Sequence, residues 1–394
     1  MQILITGATV FTGAGAVLQP GAVLLTDSRI VAVEGEITAP PGATVVDARG
    51  RFLMAGLIDA HSHLALPDVP ERPEPHPDTP FLAARAARAK LSAGVTTVRD
   101  VGGNNHVDLA LKRAIDRGDV IGPRMLVAGK PIAATGGHIW YWAREADGPD
   151  EVRRAVREQI KAGADLIKLM LSGGAANVGE RPDRMQLKED EIRVAVAEAT
   201  EAGRRVAAHA LPSRAIQIAA DAGIASIEHG AFLDEPAIEA LVRNGTYLVP
   251  TQAVYQRIAD NVDGWSEDKA RAAQAIVERK MPALRKAIEA GVKIGIGTDS
   301  GRHFPSNEIA SELAVLGQVG LAPEAALLAA TRGNAELLGI ENEIGTIEVG
   351  KRADLVLLHA DPRADIGQVR NVELIVRDGR IFNPRELEFQ SEKT

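Results

Sequence analysis

The sequence of 394 residues contains no cysteine, so disulfide bonds, thiolate metal sites and cysteine nucleophiles are all excluded. Any bound metal ion must therefore be held by histidine, by carboxylates or by a modified side chain. No apolar run is long enough to cross a bilayer, and residues 1–5 resemble a β-strand rather than a secretion signal. We therefore expect a cytoplasmic protein that does not bind membranes.

Basic stripes are also missing from the sequence. The net charge is −8 at pH 7, and acidic and basic residues alternate along the helical stretches. Nucleic-acid binding requires a concentration of positive charge, so we expect no nucleic-acid partner. The hydrophobic content of 45% is sufficient for one large domain, or for a large and a small one. We expect a small-molecule substrate as the partner, and a homo-oligomer is compatible with this composition.

The two ends of the chain share one pattern. Short β-branched runs separated by Gly, Pro and Asp turns fill residues 1–53 and return in residues 343–394. This pattern predicts that both termini build a single small β-sandwich domain. The central residues 54–342 have a different rhythm and form a separate predicted domain.

In the central part, short apolar runs alternate with amphipathic helical stretches, as in parallel strands that are covered on both faces. Eight alternations in under 300 residues predict a (β/α)₈ barrel of the TIM type. An open doubly wound sheet is the alternative, but no Gly-x-Gly-x-x-Gly fingerprint follows an early strand. The eight predicted strands are Ala55–Ala60, Val95–Arg99, Arg124–Ala128, Leu166–Leu171, Arg205–Ala208, Ala225–Glu228, Tyr247–Pro250 and Lys293–Gly297.

Reactive residues of such barrels lie at the carboxyl ends of the strands, and polar residues stand at several of these positions. The first predicted strand ends in His61-Ser62-His63, and the residues of a His-x-His pair point to the same face of a strand. The spacing alone also fits ordinary loop histidines. Metal binding is favoured because His209, His229 and Asp299 end later strands.

Lys168 lies inside the apolar strand Leu166–Leu171, where an unpaired ammonium group is costly to bury. The simpler interpretation is a lysine that extends from the strand end to a carboxylate. The alternative is an amine whose lowered pKa lets it capture CO₂. The resulting carbamate could then bridge two metal ions.

These residues lie in motifs that resemble the amidohydrolase superfamily over nearly the whole chain. The matching segments are Met54–His63, Ile224–Gly230, Gly297–Ser300 and Gly350–Val356. A binuclear branch of prolidase-like and imidazolonepropionase-related amidohydrolases is indicated by Thr135–His138, Gly163–Lys168 and Ser172–Gly174.

The resemblance implies a ligand set for two divalent ions. His61, His63 and Asp299 would bind the more buried ion, and His209 and His229 the more exposed one. Lys168, carboxylated to N6-carboxylysine, would bridge the two ions together with a hydroxide. Zinc suits histidine and carboxylate ligands best, although Mn and Co remain compatible with them.

The resemblance also implies a mechanism of amide hydrolysis. Asp299 would act as general base toward the hydroxide and then as general acid toward the leaving amine. His138, after the Gly136-Gly137 turn, is the candidate that stabilises the tetrahedral oxyanion, and a purely structural histidine is the alternative. The expected substrate is a dipeptide, Xaa-Pro-like, or an N-acyl amino acid.

Residues on the loops are candidates for substrate contacts. Trp140 and Tyr141 could form an apolar wall of the pocket, or could pack a loop onto the barrel. Arg184 could bind a substrate carboxylate, and His303 could reach the pocket. Leu211 departs from the family pattern, since many prolidase-like relatives have tyrosine two residues after the histidine of the fifth strand. This departure weakens the expectation of dipeptidase activity.

Three other functions compete with this hypothesis. A mononuclear cyclic-amide hydrolase or deaminase would generally lack Lys168, and the deaminases carry a glutamate shortly after the position of His209. A non-catalytic scaffold would have lost ligands, and all of them are present. Lactones, arylamides or ureas remain open as substrates of the same machinery.

Overall fold

The computed structural model describes residues 1–65, 77–174, 180–262, 264–301 and 309–387. The strands are numbered in chain order as follows: β1 Gln2–Phe11, β2 Val17–Thr26, β3 Arg29–Glu34, β4 Thr44–Asp47, β5 Phe52–Ala55, β6 Leu57–Ser62, β7 Val95–Asp100, β8 Arg124–Val127, β9 Ile132–Ala133, β10 Arg144–Glu145, β11 Leu166–Met170, β12 Arg205–Pro212, β13 Ser226–Phe232, β14 Tyr247–Val249, β15 Leu355–Leu358, β16 Val372–Arg377 and β17 Arg380–Phe382.

The α-helices are α1 Thr79–Ser92, α2 Val107–Arg117, α3 Pro149–Ala162, α4 Glu189–Glu201, α5 Ser213–Asp221, α6 Glu235–Asn244, α7 Gln252–Ala259, α8 Glu267–Glu289, α9 Ile309–Gln318, α10 Pro323–Leu328, α11 Asn334–Leu338 and α12 Pro384–Leu387. Of the described helices, none has the length and apolar character that a membrane span requires.

Strands from both ends of the chain share one sheet, with the order β17-β16-β15-β5-β1-β2-β3 and with β4 paired to β1. The apolar side chains of this sheet form their own cluster, which includes Ile5, Val23, Leu53 and Leu355. The predicted association of the two termini is thus confirmed as a sheet. The division into a sandwich domain of residues 1–53 and 343–394 and a barrel domain of residues 54–342 stays a prediction.

The central strands are parallel and alternate with helices, as the apolar runs predicted. Strands β6-β7-β8 form one ladder, and β11-β12-β13-β14 form another that continues from β11 into the short β9 and β10. Helices on the outside begin at proline or capping residues and often end at glycine, for example Gly118, Gly163 and Gly245 in left-handed conformations. The architecture is of the TIM-barrel type.

The predicted strand Lys293–Gly297 is the exception, since it makes only isolated bridges and single hydrogen bonds. Leu248 pairs with Ile294 on one side, and Ser62 pairs with Ser300 on the other. The backbone N–H of Ala60 donates to the carbonyl of Ile296 at 2.8 Å. This segment therefore joins β14 to β6 through few contacts, and Gly297 permits close approach, because a Cβ there would lie 2.6 Å from Cβ of His61.

A buried ion pair ties this segment to β6. Lys90 on α1 donates through Nζ to Oδ2 of Asp59 at 2.5 Å, and both side chains are fully buried. Oδ1 of Asp59 accepts from the backbone N–H groups of His61 and Thr298, each at 3.1 Å. Burial opposes ionisation of Asp59, but Lys90 and Thr298 outweigh it and lower the pKa of the carboxyl group. One carboxylate thus fixes the backbone on both sides of the site.

We expect Lys90→Met to reduce the free energy of unfolding by about 3–5 kcal/mol, because it leaves Asp59 buried without a counter-charge. Denaturant unfolding at fixed metal loading measures the change. Lys161→Met, at an exposed lysine in the last turn of α3, is the control and should change little. The double variant Lys90→Met/Asp59→Asn should lose less than the single one, and an equal or larger loss would contradict the pairing.

Candidate metal centre

The carboxyl ends of the parallel strands bring the predicted ligands together. His61 lies in β6 and His63 just beyond it, Lys168 lies in β11, and His209 and His229 lie in β12 and β13. In the register of the second ladder, Met170 is opposite His209, and Ala210 is opposite His229. The parallel arrangement therefore places the later ligands at similar depth, as their positions in the sequence predicted.

Three of the histidines lie around the carboxylate of Asp299. Its Oδ1 lies 3.3 Å from Nε2 of His61 and 3.5 Å from Nε2 of His63, and its Oδ2 lies 3.9 Å from Nδ1 of His229. One ligand atom from each of His61, His63 and Asp299 lies within 4.8 Å of the other two, a spacing suited to a single ion. Of the group, Asp299 is the most accessible, with 23% of its side chain exposed.

Three residues at this site have strained backbone conformations. His229 and Asp299 have φ values of 71° and 54°, and Thr251, which contacts His229, has a φ of 49°. A left-handed conformation is unfavourable for residues with a Cβ atom and is found mainly where a site requires it. The surrounding packing therefore holds these side chains in orientations that the backbone alone would not prefer.

Each histidine has one ring nitrogen bound to a protein oxygen. Nδ1 of His61 contacts Oε2 of Glu228 at 2.6 Å, and Nδ1 of His63 contacts the carbonyl of Gly102 at 2.7 Å. A carboxylate or a carbonyl can only accept, so these nitrogens carry a proton, and Nε2 keeps its lone pair whenever the ring is neutral. This is the tautomer that binds a metal ion.

The second pair of histidines is held in the same way. Nε2 of His209 contacts the carbonyl of Gly173 at 3.2 Å, and Nδ1 of His229 contacts Oγ1 of Thr251 at 2.7 Å. The two imidazole rings are 4.8 Å apart between centroids. The opposite nitrogens, Nδ1 of His209 and Nε2 of His229, are the ones that these contacts leave for a second ion.

Burial sets the charge of the rings. It lowers the pKa of His63 to about 4 and the pKa values of His209 and His229 well below the ordinary value, in each case as the largest effect. Burial acts in the same direction on His61, but the carboxylates of Asp299 and Glu228 outweigh it and raise the pKa of that ring. Three of the four rings are thus neutral near pH 7, as metal ligands must be.

Lys168 differs from the other buried cations. Its Nζ is buried and, among the described residues, has no hydrogen-bond partner. Burial lowers the pKa of this amine to about 8, and the positive Arg99 acts in the same direction against Glu228 and Asp299. The simpler interpretation, a lysine paired with a carboxylate, does not describe this geometry.

His138 joins the cluster from the loop between β9 and β10. Its ring stacks on that of His209 with 4.3 Å between centroids, and its Nδ1 lies 2.7 Å from Oε2 of Glu180. Gly174 must lack a side chain here, because a Cβ would lie 2.0 Å from Cε1 of His138. The Gly173-Gly174 pair thus allows the loop to pass directly over this imidazole.

Glu228 and Arg99, which were not predicted from the sequence, form a buried ion pair that holds His61. Nη2 of Arg99 donates to Oε1 of Glu228 at 2.8 Å, and the other oxygen of Glu228 holds His61. Burial opposes ionisation of Glu228, but Arg99 and His61 outweigh it and lower its pKa. Both residues could have been found from the sequence, because each is a charged residue in an apolar parallel strand. The same reasoning identified Lys168.

The proposed substrate contacts are spread over the rim. Trp140 is 47% exposed, and Tyr141 lies between it and the buried Trp142, whose ring is 6.4 Å from that of His63. The side chain of Arg184 is exposed on the loop after β11, where its carbonyl accepts from the N–H of Gly173 at 3.3 Å. His303 lies outside the described residues.

Leu211 is fully buried and packs in an apolar cluster with Tyr255, a residue that the sequence analysis did not consider. The ring of Tyr255 is 6.0 Å from that of His229. Burial raises the pKa of its phenol, and the nearby Asp299 raises it further, so the hydroxyl stays protonated. An aromatic hydroxyl thus lies beside the centre although position 211 lacks one.

Comparisons with known proteins agree with this geometry. The model of the amidohydrolase family matches residues 52–382. The chain belongs to the amidohydrolase family. Ochratoxinase of Aspergillus niger is 30% identical to it, over 96% of this chain and 86% of that protein. Imidazolonepropionase of Anaeromyxobacter sp. (strain K) is 27% identical, over 93% of this chain and 91% of that protein.

Among solved structures, a Xaa-Pro dipeptidase with bound methionine in its active site has a TM-score of 0.91 to this amidohydrolase. The two are 31% identical, and the alignment covers 97% of this chain and all of the other. The predicted resemblance to prolidase-like and imidazolonepropionase-related amidohydrolases is therefore confirmed. The fold and the family are shared with enzymes that differ in substrate.

We expect Glu228→Gln to weaken metal binding by about 10–100-fold, because it removes the charged acceptor that fixes the tautomer of His61. Competition with a calibrated zinc chelator measures the affinity. Glu239→Gln, at an exposed position of α6, is the matched control and should leave the affinity unchanged. Equal affinities in both variants would show that Glu228 does not orient the ligand.

Proposed function

We propose that this amidohydrolase is a two-metal hydrolase that cleaves the amide bond of a dipeptide or an N-acyl amino acid. The observation that carries the proposal is the convergence of four histidines, Asp299 and an unpaired buried lysine at one end of the parallel strands. The residues that would hold the ions are His61, His63, Lys168, His209, His229 and Asp299. Zinc is the ion that this donor set suits best.

The side chains fit two ions better than one. His61, His63 and Asp299 already form a three-ligand group, and His209 and His229 present a second pair of ring nitrogens. Lys168 acts electrostatically on His61 of the first group and on His229 of the second, and its Nζ has no hydrogen-bond partner among the described residues. A carbamate on its Nζ would supply two oxygens to this space and would convert a costly buried amine into an anionic ligand.

When bound, two divalent ions acidify a water molecule and polarise the scissile carbonyl. The protein contributes the proton transfers. Asp299 is the accessible carboxylate of the cluster, and its Oδ atoms face three imidazole nitrogens, so it can accept the proton of the attacking water. Burial opposes its ionisation, but His61, His63 and Lys168 outweigh this effect and lower its pKa, so it is a base at neutral pH. The same carboxyl group then delivers the proton to the leaving amine.

His138 is the proposed group for the oxyanion. Glu180 holds its Nδ1 at 2.7 Å, which leaves Nε2 for the substrate. Its ring stacks on that of His209, which is a proposed ligand of the second ion. Because Leu211 carries no hydroxyl, this role falls on His138 rather than on the residue that many relatives use.

The proposed substrate class is supported by a similar solved structure and by residues on the loops near the site. The Xaa-Pro dipeptidase structure contains methionine, an amino acid with a free carboxylate, in its active site. In this chain the exposed Arg184 is the proposed partner of such a carboxylate, and His303, four residues after Asp299 in the sequence, is a further proposed substrate contact. Trp142, beside His63, is the proposed apolar wall, with Trp140 and Tyr141 outside it.

We expect the purified protein to contain about two ions per chain and Lys168→Ala to lose one of them together with the activity. Short carboxylic acids should partly restore both, because a free carboxylate can occupy the place of the carbamate. Metal analysis by plasma mass spectrometry gives the stoichiometry. The control is Lys286→Ala, an exposed lysine on α8. A variant at Lys168 that kept two ions and full activity would contradict the bridge.

A screen of zinc-loaded protein against dipeptides and N-acyl amino acids tests the substrate. Hydrolysis of members with a free carboxylate, and loss of that activity when the carboxylate is amidated, is the expected outcome. Turnover of lactones, arylamides or ureas instead would contradict the proposed substrate class but not the proposed mechanism. One ion per chain with turnover of a cyclic amide would favour the mononuclear alternative.

A further inference from the structure

A cavity of about 500 Å³ lies at the amino ends of the parallel strands. Its lining includes the first residues of three strands, Arg124 of β8, Leu166 of β11 and Arg205 of β12. The metal centre lies at the carboxyl ends of the same strands. The cavity is therefore on the opposite face of the barrel, and its volume is in the range of small-molecule sites.

The lining has an excess of positive charge, with five basic and two acidic residues. Lys112 is paired with Asp165 at 2.6 Å, and Nη1 of Arg205 donates to the carbonyls of Glu336 and Leu337 at 2.5 and 2.6 Å. Arg99 and Arg124 are paired with Glu228 and Asp354, so Arg204 and Arg205 are the lining cations without a carboxylate partner among the described residues. Local charge of this kind raises the concentration of anions at a cleft.

Two of the arginines have donors to spare. Nε of Arg204 and Nε of Arg124 are buried and, in the described part of the chain, have no hydrogen-bond partner. A buried donor without an acceptor costs free energy, which an oxygen atom would recover if these side chains turned their Nε toward the cavity. Guanidinium groups match the oxygens of phosphate and carboxylate groups in pairs, which makes an oxyanion the fitting acceptor.

The cavity is connected to the metal centre by one residue. Arg99 lines the cavity, and its guanidinium donates to Oγ of Ser226 at 2.9 Å and to Oε1 of Glu228 at 2.8 Å. Glu228 in turn holds Nδ1 of His61 at 2.6 Å. An anion near Arg99 would compete with Glu228 for the same cation.

We propose that this cavity binds a small phosphate-bearing metabolite, with Arg204 and Arg124 as its principal contacts, and that occupancy weakens metal binding through Arg99, Glu228 and His61. The volume favours a phosphate ester over the bare ion, because inorganic phosphate would leave most of the space unfilled. The proposed anion site depends only on the observations of the cavity and not on the proposed metal centre. The coupling rests on the proposed role of His61 as a metal ligand.

Isothermal titration calorimetry of the metal-loaded protein with glycerol 3-phosphate and with inorganic phosphate, at constant ionic strength, tests the site. We expect the ester to bind more tightly and Arg204→Gln to weaken its binding by about tenfold. Arg113→Gln, an exposed arginine on α2 outside the cavity lining, is the matched control and should bind as the unchanged protein does. No binding, or equal binding in both variants, would overturn the site.

A second measurement tests whether ester binding changes zinc affinity, independently of whether the ester binds in the cavity. Saturating ester should weaken zinc affinity severalfold in the unchanged protein and in Arg113→Gln. At the ester concentration that half-saturates the unchanged protein, Arg204→Gln should show a much smaller change in zinc affinity, because its site is then mostly empty. By thermodynamic reciprocity, zinc should weaken ester binding by the same factor. Ester binding without any change in zinc affinity would overturn the coupling and leave the anion site in place. Failure of the two-metal proposal would instead appear in metal stoichiometry, which this titration does not depend on.

Discussion

The fold depends on the pairing of charges that have been removed from water. Asp59 with Lys90, and Glu228 with Arg99, lie among the central strands and helices with their side chains almost completely buried. Charges in such a place are tolerated only if each has a partner and its remaining hydrogen-bonding atoms are satisfied. Both carboxylates meet this condition, and both use their second oxygen to position the metal centre. Asp59 fixes the backbone of His61, and Glu228 fixes its ring.

Lys168 is informative because it breaks this rule. Its amine is as deeply buried as those of the paired residues, yet it has no acceptor among the described residues. The neighbouring Glu228 is already shared between Arg99 and His61, and Asp299 faces the histidines. A group that changes the lysine from a cation into a ligand resolves the conflict without another protein side chain. Carboxylation of Lys168 is thus supported by the lack of an acceptor for its Nζ among the described residues, and not by the presence of a lysine alone.

Much of the centre was predictable from the sequence because it depends on local pattern. Polar residues that end apolar parallel strands must converge at one edge, and this alone brought His61, His209, His229 and Asp299 together. The supporting pairs were not predictable in this way, since Lys90 reaches Asp59 from a helix by tertiary packing. The weak strand at 293–297 was also overestimated, because its apolar pattern does not reveal that it pairs through only a few hydrogen bonds.

The proposed metal ligands and the proposed substrate contacts lie on different kinds of structure, which offers a physical reason why one family can act on different substrates. The ligands lie in or next to strands whose register and buried ion pairs fix them, whereas Arg184 and the aromatic residues lie on loops. A change such as Leu211 can therefore occur in a cluster with Tyr255 without moving a ligand. In the proposed mechanism, such a change alters which group polarises the substrate while the metal-dependent hydrolysis stays available. Selection for a new substrate can act on the rim because the charge pairs beneath it keep the centre in place.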